Sequence, residues 1–319
     1  MKIENSKTGR VDAVLALYLG LPRNQIEKLI KNIGIKIDGV FTQKNSTKLV
    51  GGEIIEYEFV EAAPEKQKYP VDFDVEILYE DDALLVINKP PFVTVHPAAS
   101  VKEATLVDWL IQKGVSLSTI SGEERHGIVH RIDKETSGAL VIAKTNEAHM
   151  ALSKQLEDKS MGRYYLALVD VPLKENIVVE KPIGRNQNNR LKMAVNENGR
   201  EAKSAFMKLC LSNDEKTELI SAKLFTGRTH QIRVHLQALS RHILGDSLYG
   251  FKSQNSKISR IMLHAYAIYF KHPSTNQYMQ VIAPLFDDFE QILKKHFRKE
   301  CINEKITLRY ITDNFKLFC

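Results

Sequence analysis

Cysteine is scarce: the 319 residues hold three, Cys210, Cys301 and Cys319, with no CxxC spacing. That pattern speaks against a disulfide framework and against a cysteine zinc site, and it points to a reducing cytoplasm. Long apolar runs are missing too. No stretch approaches the roughly 18 uninterrupted apolar residues a membrane span needs, and the opening MKIENSKTGR has no apolar secretion core. A soluble, unexported protein is the expectation. Internal repeats and low-complexity tracts are also absent, so solenoids and repeat arrays leave the field.

What is present suits one domain of ordinary or large size and a smaller companion, with 43% hydrophobic residues to build the cores. A net charge of +6 and an isoelectric point near 9.0 are compatible with a polyanionic partner. The distribution of charge says more than the sum. Between 181 and 205 stand Lys181, Arg185, Arg190, Lys192, Arg200 and Lys203 against two glutamates, in a polar stretch that reads as an exposed hairpin or loop.

The chain is organised around HGIVHRIDKETSGALVIAKT, residues 126–145. Leu140, Val141 and Ile142 predict a buried strand. The polar half then sits at the strand's mouth, bracketed by Gly127 and Gly138, which supply tight backbone. Asp133, between Arg131 and Lys134, is expected to be held ionised by those neighbours, ready to act as nucleophile or base. An Arg-x-Asp triplet alone would equally describe a charged turn leading into a core strand.

Ahead of this motif, Val11, Val14, Leu15 and Tyr18, then Ile26, Leu29, Ile30 and Ile33, predict two short helices. Ile35 and Ile37 before Gly39, and Ile55, Tyr57 and Phe59 after a glycine pair, predict strands. Residues 61–70, EAAPEKQKYP, read as a linker. Ala83–Ile87 reads as a buried strand before Lys89-Pro90-Pro91. Residues 146–159 predict a helix with Met150, Leu152 and Leu156 on one face.

The full string HRIDKETSG followed by an apolar strand and AKT resembles the catalytic motif of the RluA family of pseudouridine synthases. NKPPFVTVHP (88–97), with Phe92 where that family often has glycine, RYYLALV (163–169) and LFTGRTHQIRVHLQALSRHILGDSLYG (224–250) are similar to its other motifs. The resemblance covers roughly 75–290. It implies that Asp133 is the catalytic aspartate, that Tyr165 stacks on the target base and closes the site over it, that Arg233 pairs with the aspartate, and that Arg131 fills the space a flipped base leaves in RNA. Residues 9–60 resemble more loosely the S4 RNA-binding domain, which implies RNA contacts for Arg10, Arg23, Lys28 and Lys31, with Arg185, Arg190 and Lys192 of the polar stretch as further candidates.

The expected fold is α+β: a pseudouridine synthase fold with a long mixed, mostly antiparallel sheet and a central cleft, plus a small N-terminal S4-like α/β domain. The domains are 1–60, a linker at 61–70, a catalytic domain at 71–290 and a C-terminal extension of unassigned role at 291–319. The implied activity is isomerisation of uridine to pseudouridine, with 23S ribosomal RNA or a large-subunit precursor as partner and the RluD type as the nearest pattern. A synthase of the RluC type, one acting on tRNA, or a non-catalytic assembly factor are the alternatives. The reaction needs no cofactor. No metal is expected either, since His230 and His235 have no third ligand at zinc spacing. A monomer is expected. Glu135 is the only acid two residues from Asp133, so a two-carboxylate glycosidase fits poorly.

Overall fold

A computed structural model of the chain describes residues 1–21, 23–58, 69–98, 100–120, 126–250 and 258–318, without the side chains of Asn24, Gln25 and Lys28. The expected linker, apart from Tyr69 and Pro70, lies outside the described residues, as does Phe59. Two compact units divide the chain: Met1–Lys68 with Thr119–His126, and Tyr69–Ser118 with Gly127–Cys319.

The first unit runs β1 (Lys2–Glu4), β2 (Gly9–Arg10), α1 (Val11–Leu19), α2 (Arg23–Asn32), β3 (Ile35–Ile37), β4 (Val40–Thr42), β5 (Lys48–Leu49) and β6 (Ile54–Glu56). The helical spacing of Val11, Val14 and Leu15, and of Ile26 and Ile30, turns one apolar stripe of each helix inward. These side chains are buried with Ile35 and Ile55 of an antiparallel sheet ordered β1-β6-β3-β4. Asp12 is fully buried in α1 and accepts from both Arg10 (2.8 Å) and Arg23 (2.9 Å).

The second unit contains β7 (Glu76–Glu80), β8 (Leu84–Lys89), α3 (Leu106–Gln112), β9 (Ser137–Ala143), α4 (Asn146–Glu157), β10 (Gly162–Val169), β11 (Ile177–Glu180), β12 (Ile183–Arg185), β13 (Met193–Val195), β14 (Lys203–Leu211), β15 (Glu218–Leu224), α5 (Gln231–Ala238), β16 (Leu263–Lys271), β17 (Tyr278–Ile282), α6 (Asp287–His296), α7 (Lys299–Lys305) and α8 (Leu308–Phe315). Its sheet is ordered β11-β14-β15-β10-β16-β9-β8-β7, with β17 also paired to β16. Every pairing is antiparallel except β16 with β9, which makes the sheet mixed.

β8 and β9 are buried throughout, and apolar over Leu84–Ile87 and Ala139–Ala143, because both of their faces are covered. Leu85, Ile87, Leu140 and Ile142 pack toward Trp109 of α3, whereas Leu84, Val86, Val141 and Ala143 pack toward Leu152 of α4. The two-residue alternation of a strand thus feeds two separate cores. Gly138 lies where β9 meets β16 in the register Ser137–His264, Gly138–Ala265. A Cβ there would come within 2.6 Å of the Ala265 nitrogen, so only glycine lets the two strands join.

Several expectations need correction. Residues 291–319 are not a separate extension: α6 crosses the expected boundary at 290, and Phe289, Leu293, Phe297, Ile311 and Phe315 enter the same core as β10, β14 and β15. The mixed charge that hid this lies on the outer faces. Cys210 of β14 and Cys301 of α7 form a disulfide, against the expectation of none, because the packing of α7 on β14 brings together residues 91 apart in sequence. Met150 is exposed; the buried face of α4 carries Ala148, His149 and Leu152. Within the stretch at 181–205, β12 and β13 pair as a hairpin, one of the two forms its composition predicts, and Lys203 already begins β14. Among the described residues no helix is long and apolar enough to cross a membrane.

Candidate active site

Asp133 stands in the loop that leads into β9, at the wall of a pocket also lined by Arg131, Thr136, Arg163, Tyr165, Gly227, Arg228, His230 and Arg233. The loop is fixed from several sides. Its turn is closed by Thr136 N–H donating to the Asp133 carbonyl at 3.1 Å. The buried Lys89 ammonium donates to the carbonyls of Pro90 (2.7 Å), Val93 (2.9 Å) and Lys134 (3.1 Å), tying the NKPP turn to the residue after Asp133. Burial pushes the Lys89 amine down to about 7, with the Asp133 charge opposing. Within that turn Phe92, standing where the family often has glycine, adopts a left-handed φ of 67°.

The neighbours expected to hold Asp133 do not do so. Lys134 pairs with Glu103 at 2.8 Å, and the exposed Arg131 reaches His96 at 3.4 Å. With both neighbouring cations engaged by other groups, the charge partner comes from elsewhere in the chain. Arg233, on α5, donates through Nη1 to Asp133 Oδ2 at 3.1 Å. Its other edge forms a fork with the buried Asp246, Nε–Oδ2 2.8 Å and Nη2–Oδ1 2.9 Å. The guanidinium lies 4.8 Å from the centre of the Tyr249 ring. Two carboxylates and an aromatic face leave it one orientation.

His230 opens α5 with φ 56°. Tyr249 Oη accepts from Met193 N–H at 2.7 Å, which leaves the phenol proton for His230 Nδ1 at 2.8 Å. That pattern assigns the ring proton to Nε2, which faces Asp133 Oδ1 at 3.9 Å. Burial lowers the His230 pKa, Asp133 opposing and Arg233 adding to the fall, so the ring is neutral near pH 7. His235 has both nitrogens engaged, by Ser204 Oγ and the Lys181 carbonyl, each at 3.0 Å. His130 turns into the core, where its Nε2 accepts from Val141 N–H at 3.2 Å.

Tyr165 is buried on β10 and lines the same pocket; burial raises its phenol pKa. Asp133 is the only carboxylate among the lining residues, against the four arginines 131, 163, 228 and 233. Such a pocket attracts a polyanion while presenting one acidic group for chemistry. Sequence reasoning missed Asp246 and Lys89, although both stand inside recognised motifs, and it missed the pocket position of Arg163.

The other expected RNA-contacting residues are not among those that line this pocket. Arg10 and Arg23 are about half exposed, at 47% and 49% of their side chains, and held by Asp12. Lys31 is exposed in the last turn of α2, and the side chain of Lys28 lies outside the described residues. Arg185 donates to the Arg190 carbonyl at 2.7 Å, stiffening the hairpin tip that also carries Lys192.

A family model described as RNA pseudouridylate synthase matches residues 83–238. An uncharacterised RNA pseudouridine synthase of Helicobacter pylori is 48% identical over 307 residues, 92% of each chain. The ribosomal large subunit pseudouridine synthase D of Xanthomonas campestris is 35% identical over 305 residues, covering 91% of this chain and 90% of that one. Among solved structures, human RNA pseudouridylate synthase domain containing 1 superposes with a TM-score of 0.55 at 25% identity, over 70% of this chain and 86% of that one.

Proposed function

This chain belongs to the RluA family of RNA pseudouridine synthases, and we propose that it converts uridine to pseudouridine in 23S ribosomal RNA with Asp133 as the catalytic group. The reaction breaks the N1–C1′ bond, turns the uracil within the site and joins C5 to C1′. The C5 proton is lost and N1 gains one, so no net redox change occurs and no cofactor is called for. Asp133 acts either as nucleophile at the sugar or as the base that takes the sugar's proton.

The observation that carries this reading is the single carboxylate in an arginine-lined pocket, held by Arg233 at 3.1 Å. A hydrolase of the two-carboxylate kind has no second acid there among the described residues. Tyr165 is the wall against which the base lies, recovering part of the stacking energy lost on flipping, worth roughly 1–3 kcal/mol. Arg131, exposed at the rim, enters the space the base leaves in the RNA.

The ribosomal substrate is supported by the large-subunit name of the Xanthomonas relative and by the S4-like arrangement of two helices and an antiparallel sheet in the first unit. Arg10, Arg23 and Lys31 of that unit, and Arg185, Arg190 and Lys192 of the hairpin, follow the phosphate backbone. The protein works as a monomer in the cytoplasm.

Pseudouridine mapping of total RNA, by carbodiimide adduct and reverse-transcription stops, in cells with and without the gene tests this. Loss of stops confined to a 23S loop, restored by wild type and not by Asp133→Asn, is expected. Loss confined to tRNA would overturn the substrate, and an active Asp133→Asn would overturn the catalytic assignment.

A further inference from the structure

Arg163 is a buried charge whose side chain has no partner among the described residues. It is 7% exposed, forms no ion pair and no hydrogen bond among the described residues, and its Nε is buried without any partner. A buried guanidinium left so is expensive, since it has surrendered water and received no acceptor. Proteins retain such groups where a ligand completes them.

Its placement says which ligand. Arg163 and Tyr165 are two residues apart on β10, so both side chains leave one face of the strand, and both line the pocket with Asp133. Gly227 stands opposite: a Cβ built there would lie 3.5 Å from Nη2 and 3.6 Å from Nη1, so the absent side chain leaves the donor edge open. A guanidinium carries donors only and requires an oxygen acceptor.

We propose that Arg163 is the residue that recognises the flipped pyrimidine, its guanidinium donating to a ring carbonyl oxygen of the base that lies against Tyr165. The proposal rests on the synthase reading above. A ring carbonyl is favoured over a phosphate by depth: Arg163 is as buried as Tyr165, whereas backbone phosphates remain at the rim with the exposed Arg131. His130 does not satisfy the guanidinium either: burial and then the Arg163 charge keep its ring neutral, and the ring's one acceptor nitrogen, Nε2, is taken by Val141 N–H.

The test uses full-length protein with total RNA from cells lacking the gene, so the readout does not depend on which RNA is modified. Single-turnover pseudouridine formation, RNA binding as a function of salt, and melting temperature are measured for wild type, Arg163→Met and Arg163→Lys. Arg163→Met is expected to slow conversion about 100-fold, as loss of one positioned donor does elsewhere, with an unchanged salt slope and an equal or higher melting temperature. Arg163→Lys recovers part of the rate. A rate within about threefold of wild type would sink the proposal. So would a binding slope shallower by about one, which marks a phosphate contact, or a fall in melting temperature, which marks a structural role. Wild type that modifies only tRNA overturns the ribosomal substrate and leaves the comparison of variants standing.

Discussion

Arg233 and Asp133 are 100 residues apart in the chain and 3.1 Å apart in the fold, and Asp246 holds the opposite edge of the same guanidinium. The two carboxylates are not equivalent. Asp133 keeps 21% of its side chain open to the pocket, whereas Asp246 is 1% exposed. One is available for chemistry and the other positions the cation that holds it.

Asp133→Asn is therefore expected to lose at least about 10³-fold in pseudouridine formation while staying folded. The amide oxygen still accepts from Arg233, and Asp246 still neutralises it. A melting temperature within about 3 °C of wild type is expected, with RNA binding retained in a filter assay. Activity that survived would remove Asp133 from the reaction.

Asp246→Ala should behave in the opposite way. It strips the buried guanidinium of its fork, at a cost of about 3–5 kcal/mol, and also removes the acceptor of Tyr249 N–H. Urea unfolding reads the loss directly. Asp246→Ala as stable as Asp133→Asn would refute the division of labour between the two acids.

Lys89 makes stability depend on pH. Its folded pKa, about 7, lies below the ordinary 10.5, so between these values the unfolded chain binds more protons than the folded one. Stability from this group then rises with pH across that window, by up to about 1.4 kcal/mol per unit. Below pH 7 the cost of charging the buried amine is felt in full. Lys89→Met removes the slope, so the difference between wild type and variant unfolding energies, taken from pH 7 to 10, is expected to widen in favour of wild type. A constant difference would show that the ammonium titrates outside the window.

The disulfide pins α7 to β14, and none of the pocket-lining residues belongs to α7. Cys301→Ser is expected to lower stability by about 2–4 kcal/mol under oxidising conditions and to leave activity unchanged. With a thiol reductant present the two proteins should unfold at the same urea concentration. A gap that persists under reduction would assign the effect to packing of the side chain instead.

How much of this could be read beforehand divides by the range of the interaction. The strands at Ala83–Ile87 and Leu140–Ile142 and the two N-terminal helices follow from periodicity, and the hairpin within 181–205 from composition, both of which are local. Asp133, Tyr165 and Arg233 were legible only as members of long motifs, because nothing in their own neighbourhoods distinguishes them. The local electrostatic reading of Asp133 failed because Arg131 and Lys134, though near it in sequence, are engaged by His96 and Glu103. Asp246, the burial of Lys89, the open edge of Arg163 and the docking of the C-terminal helices all depend on contacts between distant elements. Composition and period carry no record of those.

Gly138 joins the motif to the sheet, and its substitution isolates that junction. Gly138 and Gly250 share nearly the same φ, 115° and 114°, so alanine meets an unfavourable positive φ at both. Their surroundings differ. At Gly250 the added Cβ meets the ring of His242 no closer than 3.3 Å, whereas at Gly138 it meets the Ala265 backbone within 2.6 Å. That backbone belongs to β16 where it pairs with β9, and the pairing connects the β8–β9 half of the sheet to the β10–β15 half. Relief requires the halves to part, which also moves the loop bearing Asp133. Gly138→Ala is expected to cost about 3 kcal/mol or more, clearly beyond Gly250→Ala, and to depress single-turnover conversion even at temperatures where the variant remains folded. Equal losses in the two variants would mean that strain at the left-handed angle, not the closeness of β16, is why the motif carries glycine.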